Sequence, residues 1–279
     1  MKKVPLSIAS IIISTCIFAQ TSSLPFKAGE KIDVTLNYKL AVRADIATLS
    51  FNLQQVTEGG KPCFHILLNA RTNKFFDSFY KVRDVYESKF EMNMDPVYFM
   101  RNVSEGNFTA RNEYTWSADK KTLHAKVEKS TMDHSVDTVF KNSETIRDII
   151  NLIYSIRTSD FNSLKAGKSA SMLVAMDRNL TRVTYRYLRS EVKQVDGFGS
   201  FNTICLAMNL KNLTKVNPAE ESKLAVPAGN DSDDTIFIWL TDDANHAPVY
   251  LSIPISVGKL EIRTTNLENL KYPLSSKVK

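Results

Sequence analysis

Glycine is scarce in this chain, with 9 among 279 residues, about half the usual roughly 7%. That excludes glycine-rich repeats and argues against loops that cradle phosphates; the Walker and dinucleotide glycine motifs are absent. The 3 cysteines are too few for a disulfide scaffold or a four-cysteine zinc site. Charge of one sign is also lacking. The 36 Lys and Arg stand against 30 Asp and Glu, and a net +6 spread so thinly is no nucleic-acid footprint. The 4 histidines include no pair at i, i+4 and no His-Glu-x-x-His, and no Gly-x-Ser-x-Gly elbow is present. Beyond the N-terminus, long apolar runs are missing; the best stretch, residues 146–156, contains Arg147 and Asp148. What remains, 43% hydrophobic and 24% charged residues, is the composition of a globular protein.

The N-terminus reads Met1-Lys2-Lys3, an uncharged apolar run from Val4 to Phe18, then Ala19-Gln20. A basic start, an apolar middle and a small residue at the end form the pattern of a secretory signal peptide, here residues 1–19. The run is shorter than the roughly 20 residues a spanning helix needs. Ile17 is large for its place three residues before the cut, and Thr15 is a poor neighbour for a lipidated Cys16. The expected mature chain, residues 20–279, is one β-rich domain in the periplasm or outside the cell, without an anchor after cleavage. It keeps 34 basic against 30 acidic side chains, a net +4, which weakens any polyanion argument further. It also keeps Cys63 and Cys205. In an oxidising compartment they either pair as a disulfide or stay as small buried hydrophobes.

The dominant period is two. Ile32, Val34, Leu36 and Tyr38 alternate with Asp33, Thr35, Asn37 and Lys39, and Phe64, Ile66, Leu68 and Ala70 repeat the pattern. Such alternation puts one face on a core and the other in water, the signature of antiparallel sheets. Glu58-Gly59-Gly60-Lys61, Ser104-Glu105-Gly106-Asn107, Asp177-Arg178-Asn179 and Gly197-Phe198-Gly199 supply the hairpin turns. About 13 or 14 strands follow from this spacing. Two segments depart from it. Phe75, Phe76, Phe79 and Tyr80 recur at helical spacing and predict a short helix over about 74–82. Ile146, Ile149, Ile150, Ile153 and Tyr154 predict one amphipathic helix over about 144–157, with Ser143 or Thr145 as N-cap and its apolar face closing an end or face of the sheet. Residues 211–234 have no period and predict a long flexible loop. The fold class is therefore mainly β: a large curved antiparallel sheet, or an open barrel or half-barrel.

Several runs stand in a recognisable order: Phe26-Lys27-Ala28-Gly29-Glu30, then Phe79-Tyr80-Lys81-Val82-Arg83-Asp84-Val85-Tyr86-Glu87-Ser88, then Asp95-Pro96. They continue through residues 149–157, Ile238-Trp239-Leu240-Thr241-Asp242-Asp243, Pro248-Val249 and Val257-Gly258. In these runs and their order the chain resembles DUF3108, a bacterial exported family of unknown function, in a form typical of Bacteroidetes. The family implies a mostly antiparallel β protein of the cell envelope and supplies no catalytic residues.

No catalytic constellation emerges from the residues themselves. The acidic group around Asp231 fails the calcium-loop pattern, since Ile236 stands where that loop needs glycine. No metal or cofactor is expected. Arg83 and Asp84 are neighbours on a predicted strand and face opposite sides, so with Arg157 they are expected to form an ion network between helix and sheet, or an anion site. The residues expected to line or brace a ligand site are Phe79, Tyr80, Arg83, Asp84, Arg157 and Trp239. The favoured function is an envelope protein that binds an apolar, lipid-like or amphipathic ligand, or a protein partner. The alternatives are an assembly factor without a small-molecule site and, ranked last, an enzyme acting on envelope glycans or lipids.

Overall fold

The computed structural model describes residues 24–39, 43–214, 235–255 and 258–279. The expected export signal lies outside these residues, as does most of the expected long loop. The chain forms one sheet. Its first half is a meander of β1 (Lys31–Lys39), β2 (Arg43–Glu58), β3 (Lys61–Thr72), β4 (Arg83–Glu91), β5 (Pro96–Glu105), β6 (Phe108–Trp116), β7 (Thr122–Lys129) and β8 (Val136–Lys141). A one-turn helix, α1 (Lys74–Asp77), joins β3 to β4. Then come β9 (Ile146–Arg147), α2 (Ile149–Arg157), α3 (Phe161–Lys165) and β10 (Ser169–Met176). The second meander is β11 (Asn179–Val195), β12 (Gly199–Asn212), β13 (Ile236–Thr241), β14 (Pro248–Pro254) and β15 (Lys259–Glu268), with β16 (Lys277–Val278) pairing on β12. The spatial order runs from β8 down to β1, then from β15 down to β9, so the two meanders meet where β1 pairs with β15. The named pairings are antiparallel except β9 with β10.

The alternating residues do what their period demands. In β3 the even positions from Phe64 to Ala70 are buried and Leu67, Asn69 and Arg71 are exposed. Bulges at Asp33/Val34, Leu36/Asn37, Lys89/Phe90 and Tyr187/Arg189 bend the strands. The sheet curls until its ends approach. Leu123, Ala125 and Phe140 of β7 and β8 share a core with Ile146, Leu173 and Leu180 from the opposite end of the strand order. Trp116 donates its indole N–H to the Ile146 carbonyl at 2.7 Å across that seam, and Tyr114 its hydroxyl to the Asp177 carbonyl at 2.6 Å. The result is an open barrel.

The helix α2 runs inside this curl rather than closing an end of it. Ile150 and Tyr154 join the core of the first meander, and Leu152 and Ile156 join that of the second. The stripe that reads as solvent-facing is buried as well: Asp148, Asn151 and Ser155 are enclosed. Each has a partner. Asn151 reaches the Met94 carbonyl and accepts from Arg147, and Ser155 donates to Asn151. The helix also starts later than the periodicity suggests. Ile146 and Arg147 pair with β10, and the N-cap is Asp148 rather than Ser143 or Thr145, accepting from the N–H groups of Ile150 and Asn151. Ser88 donates to the other Asp148 oxygen at 2.9 Å. Asp148→Ala removes this cap and leaves a buried hydroxyl without its acceptor. It should cost about 1–2 kcal/mol or more, read as a shift in the denaturant midpoint.

The predicted short helix shrinks to the single turn α1, while α3 had no clear periodic signal. Lys211 and Asn212, expected in the loop, extend β12. Beyond the Tyr187/Arg189 bulge, the end of the β11–β12 hairpin folds over the outer face of β13 to β15. Lys193 sits there between Trp239 and Tyr250, its ammonium 4.1 and 4.0 Å from the ring centroids.

Candidate functional site

α2 and the side chains of both meanders pack together in the interior. A groove of about 710 Å³ lies across the outer faces of β1 to β4. Its floor follows from the register. Asp33, Ser50, Asn69 and Val85 form one row across the four strands. Thr48, Arg71 and Arg83 form the next row, because Thr48 pairs with Arg71 and Arg71 with Arg83. Burial pulls the Asp33 carboxyl up, but hydrogen bonds from Ser50, Asn266 and Lys31 outweigh it and hold the group below its ordinary value.

Arg71 and Arg83 close the β3–β4 hairpin at its α1 end. Like charges directly opposite each other on a sheet repel, so their placement calls for an anion. Asp77 on α1 supplies one. It grips Arg83 with both oxygens, at 2.9 and 2.6 Å, and also accepts from Thr72. These contacts push the Asp77 carboxyl down to about 2, with the Arg83 bond first among them. Arg71 is exposed and has no carboxylate partner among the described residues.

The turn α1 exists because Asn73 caps it, accepting from the Phe76 N–H at 3.1 Å while donating to the Asp45 carbonyl. The cap holds α1 against β2 and turns its aromatic side outward. Phe75 and Phe79 are 68% and 75% exposed, their rings 5.4 Å apart. Tyr80 lies over Gly106 in the β5–β6 turn. A methyl at Gly106 would sit 3.0 Å from the Tyr80 ring, and the positive φ of 61° there also favours glycine.

On the inner face behind the groove, Asp84 and Glu105 are both buried and are electrostatic neighbours. Asp84 accepts from the Ser104 N–H at 3.0 Å. Burial first, then the neighbouring Glu105, pushes its carboxyl up to about 7 against the opposing pull of that N–H and Arg101. A glycoside-cleaving pair faces its partner across a gap that admits a sugar. This one is buried in the interior.

The sequence profile of the family described as a protein of unknown function, DUF3108, matches residues 31–265. The chain belongs to the DUF3108 family. This DUF3108 protein is similar in fold to a β-barrel-like protein of another domain of unknown function, DUF1849, from Brucella abortus. That match has a TM-score of 0.52 at 8% identity and covers 88% of this chain and 100% of the other. A second similar structure is a candidate exported protein with a YmcC-like fold from Bacteroides fragilis. Its TM-score is 0.36 at 8% identity, covering 88% of this chain and 98% of that one. No curated protein sequence matches the chain.

In this DUF3108 protein the residues singled out from sequence separate into four places. Phe79, Tyr80 and Arg83 gather around α1 and the groove. Asp84, as its neighbour's opposite, points inward. Arg157 does not join Arg83 and Asp84. It is wholly buried and pairs with Glu30 through two bonds of 2.6 and 2.8 Å, so the expected three-residue network does not form. Trp239 lies on the outer face of β13, donating to Glu191 at 2.6 Å beneath the β11–β12 hairpin. Cys63 on β3 and Cys205 on β12 are free thiols, both buried. Six positions of the strand order separate their strands, so the disulfide is not formed. Sequence reasoning missed Arg71, whose meaning depends on its register with Arg83.

Proposed function

We propose that this protein is an exported envelope protein that binds rather than transforms its ligand, and that the ligand is an anionic amphiphile seated in the outer groove. The observation that carries this reading is the facing pair Arg71 and Arg83, of which Asp77 answers one. An acidic head group at Arg71 would complete the pairing. A guanidinium suits a carboxylate or phosphate because it offers two parallel donors. The hydroxyl and amide side chains along Ser50, Asn52 and Asn69 supply further polar contacts. The exposed rings of Phe75 and Phe79 lie in the connection between the two arginines, four residues after Arg71 and four before Arg83, and offer apolar surface for the tail. Among the described residues no helix is long and apolar enough to cross a membrane.

Isothermal titration with dodecyl phosphate and with the uncharged dodecyl maltoside, both below micelle formation, tests the proposal. The phosphate should bind and the maltoside should not. Arg71→Gln should weaken the phosphate about tenfold, the scale of one charge-assisted hydrogen bond. Equal binding of the two amphiphiles, or an Arg71→Gln variant indistinguishable from the parent, would sink it.

A further inference from the structure

Exposed aromatic rings are costly to leave in water, and two in contact beside a basic rim need a reason. Phe75 and Phe79 occupy the tip of the β3–β4 connection, and Tyr80 beside them is 37% exposed. Neither Phe75 nor Phe79 belongs to any core cluster among the described residues. Basic residues flank them in the chain. Arg71, Lys74, Lys81 and Arg83 are all exposed, and Asp77 is the one carboxylate between residues 71 and 83. It is committed to Arg83 and Thr72. The tip is therefore an apolar point flanked in the chain by cations, and hydrogen bonds hold it at both ends. Asn73 ties its start to β2 and β4 carries its end; Tyr80 donates its N–H to the Phe76 carbonyl at 2.8 Å, and Gly106 bonds to the Lys81 carbonyl at 2.7 Å.

We infer that this tip docks on an anionic lipid surface, with Phe75 and Phe79 entering the interface and Arg71, Lys74 and Lys81 resting on the head groups. Apolar side chains inserted below a basic rim give binding that depends on both apolar area and anionic lipid, which is the pattern of interfacial docking. A protein partner would need its own acidic face around an aromatic pocket. A bilayer of acidic lipids offers that combination everywhere on its surface. The inference deepens the ligand reading, on which it rests for the source of the amphiphile. The groove begins at the Arg71–Arg83 pair, so a docked tip would place the groove's end at the head-group layer.

Co-sedimentation of the full mature chain with phosphatidylglycerol vesicles and with phosphatidylcholine vesicles tests it. Binding to the first and not the second is expected, falling several-fold as salt rises. Phe75→Ser with Phe79→Ser should lower partitioning about tenfold or more and leave the thermal melt intact, since both rings are exposed. Phe79→Trp gives a direct reading: its emission should shift to the blue on adding phosphatidylglycerol vesicles. Equal binding to both lipids, no loss in the double variant, or an unshifted emission would overturn the inference. Dodecyl phosphate binding separates it from the ligand reading. Binding of the soluble amphiphile without vesicle binding overturns docking alone. Vesicle binding without it leaves docking standing and overturns the groove as the ligand site.

Discussion

Glu30→Gln should lower the free energy of unfolding by about 3–5 kcal/mol, measured by urea denaturation at neutral pH. The side chains of Glu30 and Arg157 have no solvent exposure, and the pair is bidentate. Arg157 also donates to the Asn245 carbonyl at 3.3 and 3.2 Å and lies 4.9 and 5.0 Å from the ring centroids of Phe26 and Tyr154. Glutamine keeps the size and one acceptor but removes the charge that balances the guanidinium. What remains is a buried cation held by a carbonyl and two ring faces, and the cost of that uncompensated charge dominates the loss. Arg157→Met should cost a similar amount by stranding the carboxylate. The double variant should recover much of it, because exchanging both partners for neutral groups removes the stranded charge. Total stabilities of domains are about 5–15 kcal/mol, so either single variant approaches unfolding. A single variant within about 0.5 kcal/mol of the parent would mean the pair does not hold α2 to the N-terminal segment.

That pair also shows where the sequence stops speaking. The two residues are 127 positions apart, and nothing local marks Glu30 as the partner of a helix-ending arginine. Period-two patterning is local, so the strands, the turns at Gly59-Gly60 and Gly106, and the opposed directions of Arg83 and Asp84 were all legible. The start of α2 was not, because Ile146 and Arg147 fit a helical period and are withdrawn into a bridge with β10 by contacts far along the chain. For the same reason the polar stripe of α2 read as wet. Asn151 and Ser155 are polar because the interior supplies them with partners, and only the curl of the sheet reveals that. Of the groove's arginines, Arg83 stood out in the sequence, whereas Arg71 acquires its place from its register with Arg83.

The buried carboxyl pair behind the groove makes stability fall as pH rises. An aspartate in an unfolded chain titrates near pH 4, and burial beside Glu105 moves Asp84 up to about 7. Between those values the folded state holds a proton that the unfolded state has lost. With more protons bound when folded, stability decreases with pH across that window, and the full penalty is present above about pH 7. A shift of this size corresponds to at most about 4 kcal/mol. The groups that face Asp84 set its sign. Glu105, Arg101 and the Ser104 N–H come from β5 and Tyr86 from β4. One anion beside another under low exposure is worse than one shared proton, and Arg101 offsets only part of that. Asp148, raised to about 6 by complete burial, acts in the same direction over the lower part of the window. Asp84→Asn copies the protonated shape, with one oxygen to accept from Ser104 and an amide to donate to Glu105. Denaturant titrations at a series of pH values should find the variant close to the parent near pH 4 and more stable than it at pH 8. Its residual pH dependence should come from Asp148, which acts in the same direction below about pH 6, and from His246, whose burial lowers the imidazole and acts in the opposite direction below its ordinary value of about 6.5. A parent whose stability rises from pH 5 to 8, or a variant destabilised at pH 8, would show that Asp84 is held ionised in the fold by Arg101 instead.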